Sequence, residues 1–146
     1  MLSKERQLEL YLNLVEWGEG VWGVAAASAF HFGRPPGDLA PTEMVMLANV
    51  LPAPGRGLSF PLSPPRRAKL RLIVNILWQE DILDDLAASA ATARLERMGS
   101  FVDAGMDPHE AAAATALEMG AEPALTHAAA TAERPWADRC DPARRG

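Results

Sequence analysis

The sequence predicts an all-α fold. Apolar residues recur at helical spacing along most of the chain, and no stretch shows sustained period-two alternation. Proline and glycine clusters divide the periodic stretches into helix-sized segments. Aromatic residues make up only 6% of the chain, which favours a core of Leu, Val, Met and Ala.

Ser3 caps a first helix, and Glu5 in its first turn complements the helix dipole. Leu8, Tyr11, Leu12 and Val15 then form one apolar stripe. Gly18, Gly20 and Gly23 end this helix in an interhelical glycine turn. A second helix follows over Val24–Phe32, with Gly33 as its left-handed stop. The adjacent prolines in RPPGDLAP place a loop at 34–41. A third helix runs from Pro41 to Leu51 and is stopped by Pro52 and Pro54. Ser63 caps a fourth, whose buried stripe is Leu70, Ile73, Val74 and Leu77. A fifth covers Asp81–Met98, and Asp107 to Glu110 read as a capping box opening a sixth, which ends near Met119. From residue 121 the chain has few large apolar side chains, so 121–146 is expected to be a loosely structured tail.

Composition excludes several functions. The 146 residues make one ordinary domain. A single cysteine, Cys140, rules out an intramolecular disulfide framework and a cysteine zinc cage. No apolar run approaches the ~20 residues of a membrane span, and the charged N-terminus is no signal peptide, so this chain by itself would be cytoplasmic. Residues 1–80 carry 8 Lys/Arg against 7 Asp/Glu, whereas residues 81–146 carry 6 against 12. An acidic second half argues against nucleic-acid binding, which requires cations to neutralise phosphates.

Most apparent motifs have plain structural readings. Gly18-Glu19-Gly20-Val21-Trp22-Gly23 spells a dinucleotide fingerprint, yet a helix precedes it and no βαβ unit surrounds it. His31, His109 and His127 show no metal-ligand spacing, so no metal site is expected, and His31 reads as a helix-end residue. Glu9 and Glu16 stand seven apart and could share one helix face, as paired glycosidase carboxylates would. Ordinary surface charge is the commoner role for such residues. Arg66, Arg67, Lys69 and Arg71 form a basic group able to clamp a phosphate or diphosphate, or simply to face solvent.

Five segments in order carry a family resemblance. SKERQLELYLN at 3–13 resembles the K-x-x-I-L-E-x-Y-L-N motif of the peptidoglycan glycosyltransferases. VEWGEGVWG at 15–23 resembles that family's aromatic–glycine turn, in the wording of its monofunctional biosynthetic members. AAASAFHFGRPPGDL at 25–39 and APTEMVMLANVLPAP at 40–54 resemble the next two blocks, with Glu43 as the helix-starting acid. RRAKLRLIV at 66–74 resembles a weakened last block.

The resemblance implies a lysozyme-like helical domain that polymerises lipid II at the outer face of the bacterial cytoplasmic membrane. Its partner would be an undecaprenyl-diphosphate-linked glycan. The implied reaction is inverting glycosyl transfer, in which a glutamate deprotonates the acceptor hydroxyl and cations stabilise the departing diphosphate. The family's E-D-x-x-F, G-x-S-T-I-T-Q-Q and R-K-x-x-E blocks, which carry that chemistry, are not among these residues. The expectation is therefore a partial domain at 1–80, additional helices at 81–120 and the tail at 121–146. Such a chain would have no catalytic residue of its own and no turnover by itself. Lys4, Arg66 and Arg67 are the expected substrate contacts, Lys4 at the cleft edge and the two arginines at the diphosphate. Glu9, Tyr11, Asn13, Gly18, Gly20, Gly23 and Glu43 are the motif residues expected to brace the packing. No cofactor is expected beyond a divalent cation at the diphosphate, which the family resemblance allows. An incomplete domain would also leave an apolar face prone to self-association. Two rival readings remain: a non-catalytic precursor-binding or interaction remnant, and a lytic or lysozyme-like hydrolase using Glu16.

Overall fold

In a computed structural model, residues 1–123 are described. They form six α-helices and one short β-hairpin: α1 Lys4–Leu14, β1 Glu16–Gly18, β2 Val21–Trp22, α2 Val24–Phe32, α3 Pro41–Ala48, α4 Pro64–Gln79, α5 Asp85–Asp103 and α6 Pro108–Met119. Short 3₁₀ turns at Pro36–Asp38 and Pro54–Ser59 join α2 to α3 and α3 to α4. The tail expected from residue 121 lies almost wholly outside the described residues.

Local chemistry sets most boundaries. The Ser3 hydroxyl accepts from the Arg6 amide at 3.2 Å and starts α1. Gly33, at φ 66 and ψ 20, ends α2 in the left-handed conformation. Asp84 accepts from the Ala87 amide at 2.7 Å and starts α5, and Asp107 accepts from His109 at 2.9 Å and starts α6.

Four expectations are corrected. The glycine-rich segment is a two-stranded antiparallel hairpin, not a turn between helices, with Glu16 opposite Trp22 and Gly18 opposite Val21. Its strands have three and two residues, too short to show an alternating pattern. Ser63 occupies the cap position of α4, but its hydroxyl donates back to the Phe60 carbonyl at 2.7 Å and caps nothing. The fifth helix starts at Asp85 because Asp81 takes φ 57 and Leu83 returns its amide to the Leu77 carbonyl, closing α4. Finally, only half of the first apolar stripe is covered. Leu12 and Val15 pack inward, while Leu8 and Tyr11 are exposed, and α1 buries no residue fully.

Two apolar clusters hold the fold. The larger joins Val45, Met46 and Val50 of the α3 region to Leu70 and Val74 of α4 and to Ala91, Leu95 and Met98 of α5. Residues beyond 80 thus share one core with those before it. The smaller gathers Ala27, Leu39 and Leu47 around Trp17, whose indole donates to the Leu12 carbonyl at 3.3 Å. Phe32 touches both clusters. Burial of this kind supplies roughly 25 cal/mol per Å² of apolar surface removed from water.

Candidate functional site

The expected binding cations lie on separate elements. Lys4 is exposed at the start of α1, which packs on α2, whereas Arg66 and Arg67 open α4, which packs on α3 and α5. Arg67 is committed to the fold: its guanidinium donates to both carboxylate oxygens of Asp103 on α5 at 2.9 and 2.8 Å. Its side chain is only 18% exposed. Arg66 has no acidic partner among the described residues and lies over the Phe60 ring, 4.1 Å from its centroid. Arg56, exposed on the preceding 3₁₀ turn, approaches the same ring at 5.1 Å. Phe60 therefore gathers two guanidinium groups on one ledge. Sequence reasoning missed Arg56 because it stands ten residues from the basic run. Its signal was the intervening aromatic.

Several of the motif residues make local contacts. Gly23 opens α2 at φ 83, and a side chain there would bring its Cβ within 2.7 Å of the Asn13 carbonyl. The Asn13 amide donates to the Glu9 carbonyl at 2.8 Å and locks the end of α1 that Gly23 abuts. Gly20 takes φ 74 at the hairpin tip. Gly18 belongs to β1, its Cα side facing Val21 and the Pro54 carbonyl. Tyr11 is exposed.

Of the carboxylates near the apolar helices, Glu9, Glu16 and Glu43 have local partners, and Glu19 at the hairpin tip is exposed. Glu9 pairs with Arg6 at 2.7 Å on the exposed surface of α1. Glu16 accepts from the Gly20 amide at 3.1 Å and closes the hairpin. Glu43 pairs with Arg34 and accepts from the Ala40 amide at 3.1 Å, holding the first turn of α3. Among the described residues, no three His, Cys, Asp or Glu side chains gather as a metal ligand set.

A histidine pair was not foreseen. His31 of α2 stacks on His109 of α6 with centroids 5.5 Å apart and planes 6° apart, and His31 Nδ1 lies 3.3 Å from His109 Nε2. Burial holds the His31 pKa below the ordinary range, the neighbouring His109 lowers it further, and the Trp17 backbone opposes the shift. The two residues are 78 positions apart, beyond the reach of any local pattern.

No helix among the described residues is long and apolar enough to cross a membrane. No solved structure matches the chain. Proteins named biosynthetic peptidoglycan transglycosylase do match. That of Nitrosomonas eutropha is 43% identical over 76 residues, covering 52% of this chain and 31% of its own. That of Rhodospirillum centenum is 53% identical over 53 residues, covering 36% and 23%. That of Pseudomonas aeruginosa is 40% identical over 77 residues, covering 53% and 33%. The chain thus spans a third or less of these relatives. The Transglycosylase family model matches residues 1–75, which hold the Asn13–Gly23 joint, the Glu43 cap and the Phe60 ledge, and by that match the chain belongs to the transglycosylase family.

Proposed function

We propose that this chain acts in peptidoglycan glycosyl transfer at the cell envelope, on the diphosphate side of lipid II, and does not supply the general base. Arg66 and Arg56 carry the binding role on the Phe60 ledge, with Lys4 as an outlying cation. Arg67 supports them from behind, since its pairing with Asp103 fixes the start of α4.

One observation carries this reading: Arg66 and Arg56 have no acidic partners among the described residues, while Glu9, Glu16 and Glu43 are each held by a donor. A general base needs a carboxylate free to receive a proton from an acceptor hydroxyl. Unpaired guanidinium groups on an aromatic support suit an oxyanion such as a diphosphate. The hydrolase alternative is weakened because Glu16 is engaged in the hairpin turn.

The test uses the purified chain and labelled lipid II, with the outer face of the cytoplasmic membrane as the expected place of action. Expected results are binding that Arg66→Ala together with Arg56→Ala weakens at least tenfold, and no glycan polymer. Polymer formation would overturn the assignment of no base. Binding indifferent to both arginines would overturn the ledge. Release of sugar from finished peptidoglycan would favour the hydrolase.

A further inference from the structure

A cavity of about 100 Å³ lies beneath the first turn of α3. Its polar wall consists of Thr42 and Glu43 of α3, Arg34 before it, Arg94 of α5, Thr115 of α6, and Glu122. A buried water needs roughly 10–15 Å³ of such space, so the cavity holds several waters or one small polyatomic ligand.

Three polar atoms in this wall are buried without a hydrogen-bond partner: Thr42 Oγ1, Arg94 Nε and Glu122 Oε1. Thr42 is 2% and Arg94 8% exposed. Native proteins seldom leave such groups unsatisfied. Arg94 is held in place, because its Nη2 donates to the Gly120 carbonyl at 2.7 Å and to the Met119 carbonyl at 3.3 Å. That leaves Nε as a fixed donor at the cavity wall. Thr42 adds a hydroxyl, and the first turn of α3 adds the partial positive charge of a helix N-terminus.

The charge count is specific. Arg34 is neutralised by Glu43, so Arg94 is the lining cation left over, and Glu122 is the one acid facing it. Burial raises the Glu122 pKa above the ordinary carboxylate range, while Thr42 and Arg94 pull it down. The Glu122 carboxyl is therefore partly dehydrated yet electrostatically attracted.

We infer that this cavity is a seat for a single carboxylate, overhung by Glu122, whose Oε1 closes no hydrogen bond there, and that a small monocarboxylate ligand takes the seat when Glu122 withdraws. One carboxylate supplies two acceptor oxygens, matching the two orphaned donors, Thr42 Oγ1 and Arg94 Nε. A single negative charge matches the single unneutralised cation. The seat is formed jointly by α3, in the family-matched segment, and by α5 and α6 outside it. Its occupancy thus reports whether the C-terminal helices are docked.

The test is chemical rescue in the full chain. Thermal unfolding of wild type, Glu122→Ala and Glu122→Ala with Thr42→Val is followed against sodium acetate, with sodium chloride of equal ionic strength at the same pH as the reference. The expected result is an acetate-specific, saturable rise of about 3 °C or more in the Tm of Glu122→Ala. Wild type should show a clearly smaller rise, since the Glu122 carboxylate stands at the seat and opposes a second anion, and the Thr42→Val double variant should lose most of it. Should Glu122→Ala be unfolded without ligand, the folded fraction by circular dichroism is read across the same titration. Equal responses of Glu122→Ala to acetate and chloride would make the cavity a solvent pocket and overturn the proposal.

Discussion

The Arg67 side chain lies directly over Gly99: a Cβ placed on Gly99 would stand 2.6 Å from Arg67 Cδ and closer still to its guanidinium. A side chain at Gly99 would therefore displace the Arg67 side chain from its path to Asp103, against the about 1 kcal/mol that alanine gains over glycine in a helix interior. This contact lets the arginine reach Asp103 one turn further on. Gly99→Ala is expected to destabilise the chain by about 1–3 kcal/mol through overpacking. Arg67→Ala should cost about 1–2 kcal/mol, mostly lost packing, because Asp103 is 49% exposed and the pair is screened. The double variant should cost less than the sum, since one partner of the clash is then missing. Urea unfolding of the four proteins measures this, and additive costs would refute the coupling.

Gly23 and Gly20 make a matched pair of probes. Both have positive φ, yet a side chain at Gly23 meets the Asn13 backbone while one at Gly20 meets nothing within 4 Å. Gly20→Ala should therefore cost only the left-handed backbone penalty, about 1–2 kcal/mol. Gly23→Ala adds a collision with backbone that cannot rotate away, and is expected to cost at least twice as much. Equal losses in Tm would show that the Asn13 contact yields freely.

These two glycines also show where the sequence was informative. Gly33 and Asp107 announced helix ends through local chemistry, and α2 and α6 were legible at both boundaries. The glycine run around Gly20 reads as punctuation, but whether it joins helices or strands depends on Glu16 and Gly18 finding Trp22 and Val21 across the turn. Arg67 looked like a ligand-binding cation for a similar reason: its partner, Asp103, is 36 residues away. Motif order revealed the family. The His31–His109 stack and the Glu122 cavity need the third dimension, because each joins the family segment to α6 or the residue just beyond it.

Leu8, Tyr11 and Leu14 of α1, Trp22 of the hairpin and Phe30 of α2 are all exposed. Scattered apolar residues on a surface are ordinary, but α1 has no fully buried residue to anchor it. Self-association through this helix is a proposal that sedimentation can decide. The expected outcome is a concentration-dependent increase in mass for wild type, reduced by Leu8→Glu with Leu14→Glu. A monomer at all concentrations would leave the exposed face of α1 as ordinary solvent-facing surface.

The His31–His109 stack predicts acid loosening of α6. The folded His31 binds a proton less readily than the unfolded one, whose pKa is 6.5. Above that value neither state is protonated and the contribution is flat. Below it the unfolded chain takes up the proton first, so stability falls until the depressed folded pKa is passed. The groups facing His31 are His109 and, behind it, Asp107, whose Oδ1 lies 3.5 Å from His109 Nδ1. Glu122 acts in the opposite sense: its folded pKa is raised above 4.5, so its contribution is fully present below 4.5 and is lost as pH rises through the folded value. Lowering the pH from 7.5 to 5.5 enters the His31 window first. Wild type should lose Tm and become sensitive to proteolysis between α5 and α6, while His31→Gln should show a flatter profile over the same range. A wild-type Tm independent of pH across this interval would show that the stacked pair carries no linkage to folding.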